Sequence, residues 1–161
     1  MRARPLAALL LVPALACSAE SDPVGEQYTL SFPSTAAAVA TESVQLLVFD
    51  VPPGTSRANL CPNLLQKRKS AQPLGKALVE GPPVSPCNAS KQPVTIPFGE
   101  HALFAIARKE GKDYLLGCTL QTIAVGDPPA AVYLTPVTAQ VITPTTKCPQ
   151  LSAFCSRTCP N

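Results

Sequence analysis

The sequence predicts an all-β domain: an antiparallel two-sheet sandwich carrying one short helix. Runs of alternating apolar and polar residues recur through the middle of the chain. Two of the longest flank Lys109-Glu110-Gly111-Lys112-Asp113, a glycine-containing turn that reads as a hairpin. Only the stretch around Leu60 spaces its apolar residues as a helix does. About seven or eight short strands separated by turn residues suit two facing sheets.

In chain order, Tyr28, Leu30 and Phe32 alternate with Gln27, Thr29 and Ser31, which predicts a half-buried first strand. Val44 to Val51 is apolar on both faces from Leu46 to Phe49 and predicts a strand covered on both sides. A helix is expected over Leu60 to Lys69. Asn59 is its candidate N-cap, Pro62 lies in its first turn, and Leu60, Leu64 and Leu65 lie towards one face. Lys67-Arg68-Lys69 closes the helix where cations meet the negative end of its dipole. That triplet reads as a solvated helix end, with contact to an anionic lipid or polymer as the alternative.

Residues 70–92 read as an irregular surface loop pinned through Cys87. Val94, Ile96 and Phe98 alternate again, and Pro93 and Pro97 confine that strand to an edge. Ala102 to Arg108 and Tyr114 to Val125 form the hairpin. Gly126-Asp127-Pro128-Pro129 turns the chain into short strands at Ala131 to Leu134 and Ala139 to Thr143. The predicted core is Leu46, Val48, Phe49, Leu103, Ile106, Leu116, Leu120 and Leu134. The chain holds 19 prolines, which stiffen its loops and block edge-to-edge pairing.

The N-terminus carries a different signal. Met-Arg-Ala-Arg precedes an apolar run from Pro5 to Leu15, and Ala16 stands immediately before Cys17. A basic start, a short apolar core and small residues at the cut are the anatomy of a secretory leader. The run is well short of the ~20 residues that span a bilayer. Residues 1–16 are therefore expected to be removed. Residues 17–26, polar and broken by Pro23 and Gly25, then form a tether; residues 27–145 form the sandwich and 146–161 a disulfide-bound tail. A cysteine at the cut marks a lipidation site at Cys17. Ala14-Leu15-Ala16 is also an A-x-A site for ordinary signal peptidase, which keeps plain secretion open.

The cysteine count is seven, an odd number that needs an explanation in an exported chain. With Cys17 lipidated, Cys61, Cys87, Cys118, Cys148, Cys155 and Cys159 remain for three disulfides. Six cysteines allow fifteen pairings. The favoured arrangement joins Cys61 to Cys118, tying the helix to the hairpin, and Cys87 to a C-terminal cysteine, with the last two pairing locally.

The formal charge is +3, and loss of Arg2 and Arg4 with the leader leaves about +1. That balance gives no electrostatic footprint for nucleic acid. His101, the single histidine, sits where a turn enters a strand and reads as structural. No Gly-x-Ser-x-Gly elbow, phosphate-cradling loop or His-Glu-x-x-His helix occurs. Cys148-x6-Cys155-x3-Cys159 lacks a Cys-x2-Cys partner, so no metal site is expected. Neither a catalytic set nor a cofactor is expected, and the carboxylates are scattered singly. Asn88-Ala89-Ser90 matches an N-glycosylation sequon, relevant only in a eukaryotic host.

The segment Leu9-Leu10-Leu11-Val12-Pro13-Ala14-Leu15-Ala16-Cys17 resembles the lipoprotein signal of Gram-negative bacteria, and the Ala/Pro/Val-rich composition resembles that of myxobacterial envelope lipoproteins. It departs from the usual pattern at Ala14, where leucine is common. Ile96-Pro97-Phe98-Gly99-Glu100-His101-Ala102 and the strand that follows, with Leu116-Gly117-Cys118-Thr119 after the turn, are similar to transthyretin-like and Ig-like sandwich modules. The resemblance implies a non-enzymatic protein held at the outer membrane by lipid on Cys17, binding or scaffolding a protein or polysaccharide ligand. A soluble secreted inhibitor or effector is the alternative.

Overall fold

A computed structural model describes residues 27–89, 94–138 and 148–159. Its elements are β1 (Tyr28–Ser31), α1 (Thr35–Ala40), β2 (Ser43–Asp50), α2 (Arg57–Lys69), β3 (Val79–Glu80), a 3-10 turn (Pro86–Asn88), β4 (Gly99–Lys109), β5 (Lys112–Ile123), β6 (Ala130–Tyr133), β7 (Thr135–Pro136) and α3 (Leu151–Cys155). β3-β2-β4-β5-β7 form an antiparallel five-stranded sheet, and β1 and β6 form a second, two-stranded one. The chain is mainly β.

The β4–β5 hairpin is the middle of the larger sheet. Its expected five-residue turn tightens to Glu110-Gly111, because Lys109 already pairs with Lys112. Both turn residues have positive φ, 52° and 70°, the conformation whose twist matches the flanking strands. Glu110, without glycine's freedom, is held there partly by its amide donating to Glu42 Oε2 at 2.8 Å. A bulge at Ala107/Arg108 absorbs one residue of register.

Side chains alternate across the sheet, so each strand feeds two cores. On one face Val44, Leu46 and Val48 of β2, Leu103, Ala105 and Ala107 of β4 and Leu115 of β5 pack against Ala130 and Val132 of β6 and against Ala37 of α1. On the other face Leu47 and Phe49 of β2, Ala102, Phe104 and Ile106 of β4 and Leu116 of β5 meet Leu60 and Leu64 of α2. Phe49 and Phe104 pack edge to face, centroids 6.4 Å apart. This double coverage explains the four consecutive apolar residues Leu46–Phe49, all buried. Seven of the eight predicted core residues are buried, whereas Leu120 is half-buried at the rim of the α2 face.

The second layer differs from the predicted sandwich: among the described residues it is two strands, and they run parallel, Tyr28 opposite Ala130 and Ser31 opposite Tyr133. No tight turn joins strands so far apart in sequence, so their direction is set by packing on the core rather than by a hairpin. Close approach of this layer depends on Gly117 in β5. A Cβ there would lie 2.6 Å from the Tyr133 carbonyl oxygen.

Three segments depart from expectation. Residues 94–98 pair with no strand among the described residues; the Gln27 side chain instead caps Ile96, accepting from its amide at 2.5 Å and donating to its carbonyl at 3.1 Å. Part of the 70–92 loop is an edge strand broken by Pro82-Pro83. Leu78 and Gly81 donate to Val48 and Leu46, and Val84 exchanges hydrogen bonds with Val44. The helix begins three residues early, with Ser56 rather than Asn59 at its cap, so Pro62 lies beyond the first turn. There Pro62 cannot donate to the Ala58 carbonyl. Thirteen residues with an interior proline are marginal alone; Leu60, Leu64 and the Cys61–Cys118 bridge hold α2 to the sheet.

Two helices were not expected. In α1, Ser34 Oγ accepts from Ala37 N at 3.1 Å and caps an alanine-rich turn. In the tail, α3 packs near α1 and the 3-10 turn. Residues 1–26, with the expected leader and Cys17, and the predicted strand Ala139–Thr143 lie outside the described residues.

Candidate functional site

Cys61 bridges to Cys118, Cys87 to Cys155 and Cys148 to Cys159, the favoured pairing. The first fastens α2 to β5. The second fastens the tail to the 3-10 turn, whose Cys87 amide donates to Ser85 Oγ. The third closes the tail on itself. The six pair among themselves, so none is available to Cys17.

A cleft of about 610 Å³ lies between α2, the end of β2 and residues 74–78. Helical spacing builds one wall: Leu60, Asn63, Leu64 and Lys67 fall at i, i+3, i+4 and i+7, so they share a face. Phe49 and Leu74 extend the apolar floor, and Leu78, 45% exposed, stands in it open to solvent. Asp50, Thr55, Asn63, Lys67 and Lys76 supply its polar side chains.

The charges of α2 divide sharply. Arg57 pairs with Glu100. Arg68 grips Asp113 of β5 with two hydrogen bonds, 2.5 and 2.9 Å, and that carboxylate, chiefly by hydrogen bonding, raises the pKa of the guanidinium. The middle residue of the basic triplet is thus a clamp to the hairpin rather than a solvated end. An open depression of about 440 Å³ beside this pair is lined by the same two charges. Lys67 and Lys76 make no ion pair among the described residues, so the cleft faces two ammonium groups against the single carboxylate of Asp50.

His101 is buried at the other face of the sheet end. Its Nδ1 lies 3.3 Å from Asp50 Oδ1 without hydrogen-bond alignment, and its Nε2 lies 3.4 Å from the Phe98 carbonyl. The ring therefore stands between a carboxylate and a main-chain oxygen and fills the end of a core. Among the described residues no three His, Cys, Asp or Glu converge as a metal site would require, and no helix is long and apolar enough to cross a membrane. Asn88 lies in the 3-10 turn, and Ser90 of its sequon is outside the described residues.

Sequence spacing brought out Lys67 but not the cleft. Asp50, Lys76, Leu74 and Leu78 come from separate segments, and no motif links them. The only sequence signal available was the i, i+3, i+4, i+7 pattern from Leu60 to Lys67. The chain matches no protein-family model, no curated protein and no solved structure.

Proposed function

We propose that this protein is a non-enzymatic, lipid-anchored module of the bacterial envelope that binds a ligand in the α2 cleft. The observation that carries the reading is the cysteine arithmetic. Six cysteines form three disulfides, which favours an oxidising compartment outside the cytoplasm. The seventh, Cys17, stands at the end of a secretory leader with small residues before it. Acylation there gives that thiol a use and gives the module an outer-membrane address. The cleft adds a place to bind, with a volume in the usual range for ligand sites. The sandwich resemblance to transthyretin-like and Ig-like modules belongs to the same reading, since such modules commonly bind or scaffold.

The test is Cys17→Ser in cells. Two or three acyl chains anchor stably where one does not, so wild type is expected in the membrane fraction and the variant in the soluble one. Equal partition of both into the soluble fraction overturns the anchor. It favours the second reading, a secreted disulfide-stabilised inhibitor or effector, which the Ala14-Leu15-Ala16 site supports.

A further inference from the structure

We infer that the α2 cleft takes a single-chain amphiphile with an anionic head, such as a fatty-acid carboxylate. The inference rests on the reading of the protein as a binding module and names the class of its ligand. Three features carry it. The floor is apolar, built from Phe49, Leu60, Leu64 and Leu74, and Leu78 beside them remains 45% exposed. An exposed leucine within an apolar concavity offers burial that water does not.

The second feature is charge. Arg57 and Arg68 are each spent on a carboxylate, Glu100 and Asp113. Lys67 and Lys76, which line the cleft, have no such partner among the described residues. Asp50, the one carboxylate in the lining, stands 3.3 Å from the His101 ring. Two ammonium groups against one carboxylate leave the lining net positive, so the cleft favours a negative charge, and ammonium groups on flexible stems can follow a head group while their methylenes cover its tail.

The third feature disfavours a peptide added as a strand. A peptide added to a sheet needs a free strand edge. Along the cleft the β2 edge is taken, because Leu78 and Gly81 donate to the carbonyls of Val48 and Leu46, and the strand that covers it, Val79–Glu80, is two residues long and followed by Pro82-Pro83, which have no N–H to donate. What the cleft offers is an apolar surface and two cations, which matches a tail and a head.

The experiment titrates the full, disulfide-intact chain at low salt by calorimetry with three probes: dodecanoate, dodecyltrimethylammonium and hexaglutamate. Dodecanoate, below its micelle concentration, is expected to bind one per chain and at least about tenfold tighter than the cationic probe of equal tail, as two exposed charge contacts would provide. Lys67→Glu/Lys76→Glu should erase that preference. Lys69→Glu, on the same helix but not in the cleft lining, should leave it within about twofold, the effect of one screened surface charge. All three lysines are exposed, and circular dichroism checks that the variants fold; Lys67→Gln/Lys76→Gln serves if the charge reversal does not. Equal binding of both amphiphiles, or undiminished dodecanoate binding by the double variant, overturns the inference. Hexaglutamate binding without dodecanoate binding overturns the ligand class while retaining a binding module. Binding of none overturns the cleft as a ligand site, and acylation of Cys17, read separately by mass, then shows whether the anchor still stands.

Discussion

Replacing Gly117 with alanine probes how closely the two sheets approach. Gly117 lies in β5, and its added Cβ would lie 2.6 Å from the Tyr133 carbonyl oxygen, 3.0 Å from Val132 Cγ1 and 3.1 Å from the Tyr133 carbonyl carbon. Two of these three atoms are backbone, so the obstruction cannot rotate away. Relief requires β6 to shift, and β6 is tied down: Thr119 Oγ1 donates to the Ala131 carbonyl at 2.9 Å, and the Leu134 amide to the Ser31 carbonyl at 2.8 Å. Overpacking of this kind costs about 1–3 kcal/mol, and stiffening the unfolded chain returns about 0.4–1 kcal/mol, so the central values leave a net loss of about 1.3 kcal/mol. Urea unfolding of Gly117→Ala against wild type, with the slope unchanged, measures it. A variant as stable as wild type would refute the placement of β6 across β5.

Other outcomes follow from the bridges and from Tyr28. Closed-loop entropy gives about 4.2 and 4.4 kcal/mol for bridges separated by 57 and 68 residues, and about 2.8 kcal/mol for one separated by 11. Paired Cys→Ala variants, unfolded in urea, should therefore lose least stability at Cys148–Cys159, and a reversed order would contradict the connectivity. Burial raises the Tyr28 pKa above its ordinary 10.0, so the folded protein keeps a proton that the unfolded chain releases. That contribution is whole below pH 10 and is lost as pH rises through the higher folded value. Tyr28→Phe should flatten the decline in stability above pH 10 relative to wild type; parallel curves would show that Tyr28 is not buried.

Legibility in the sequence followed the range of the interactions. The hairpin was readable because Glu110-Gly111 and the apolar alternation beside it are local. Burial of β2 on both faces was readable because four consecutive apolar residues have no other stable home. The capped helix α1 carried its own signal, Ser34 three residues before Ala37 in an alanine run, which strand periodicity does not detect. The parallel pairing of Tyr28–Ser31 with Ala130–Tyr133 had no local signal, since it depends on a layer assembled from both ends of the chain. Prolines misled at 78–84, where Pro82-Pro83 interrupts the ladder without removing the segment from the sheet edge. Of the cleft, only the Leu60–Lys67 face was written in one segment; Asp50 and Lys76 reach it by folding.

The protein we propose is a disulfide-stapled module held to a membrane through Cys17. Mass spectrometry of the protein from its native membrane, digested without reduction, tests it most directly. An N-terminal peptide beginning at Cys17 and carrying diacylglycerol is expected, together with peptides joined through Cys61–Cys118, Cys87–Cys155 and Cys148–Cys159. An unacylated Cys17, or Cys17 found in a disulfide with any of the six, would contradict it.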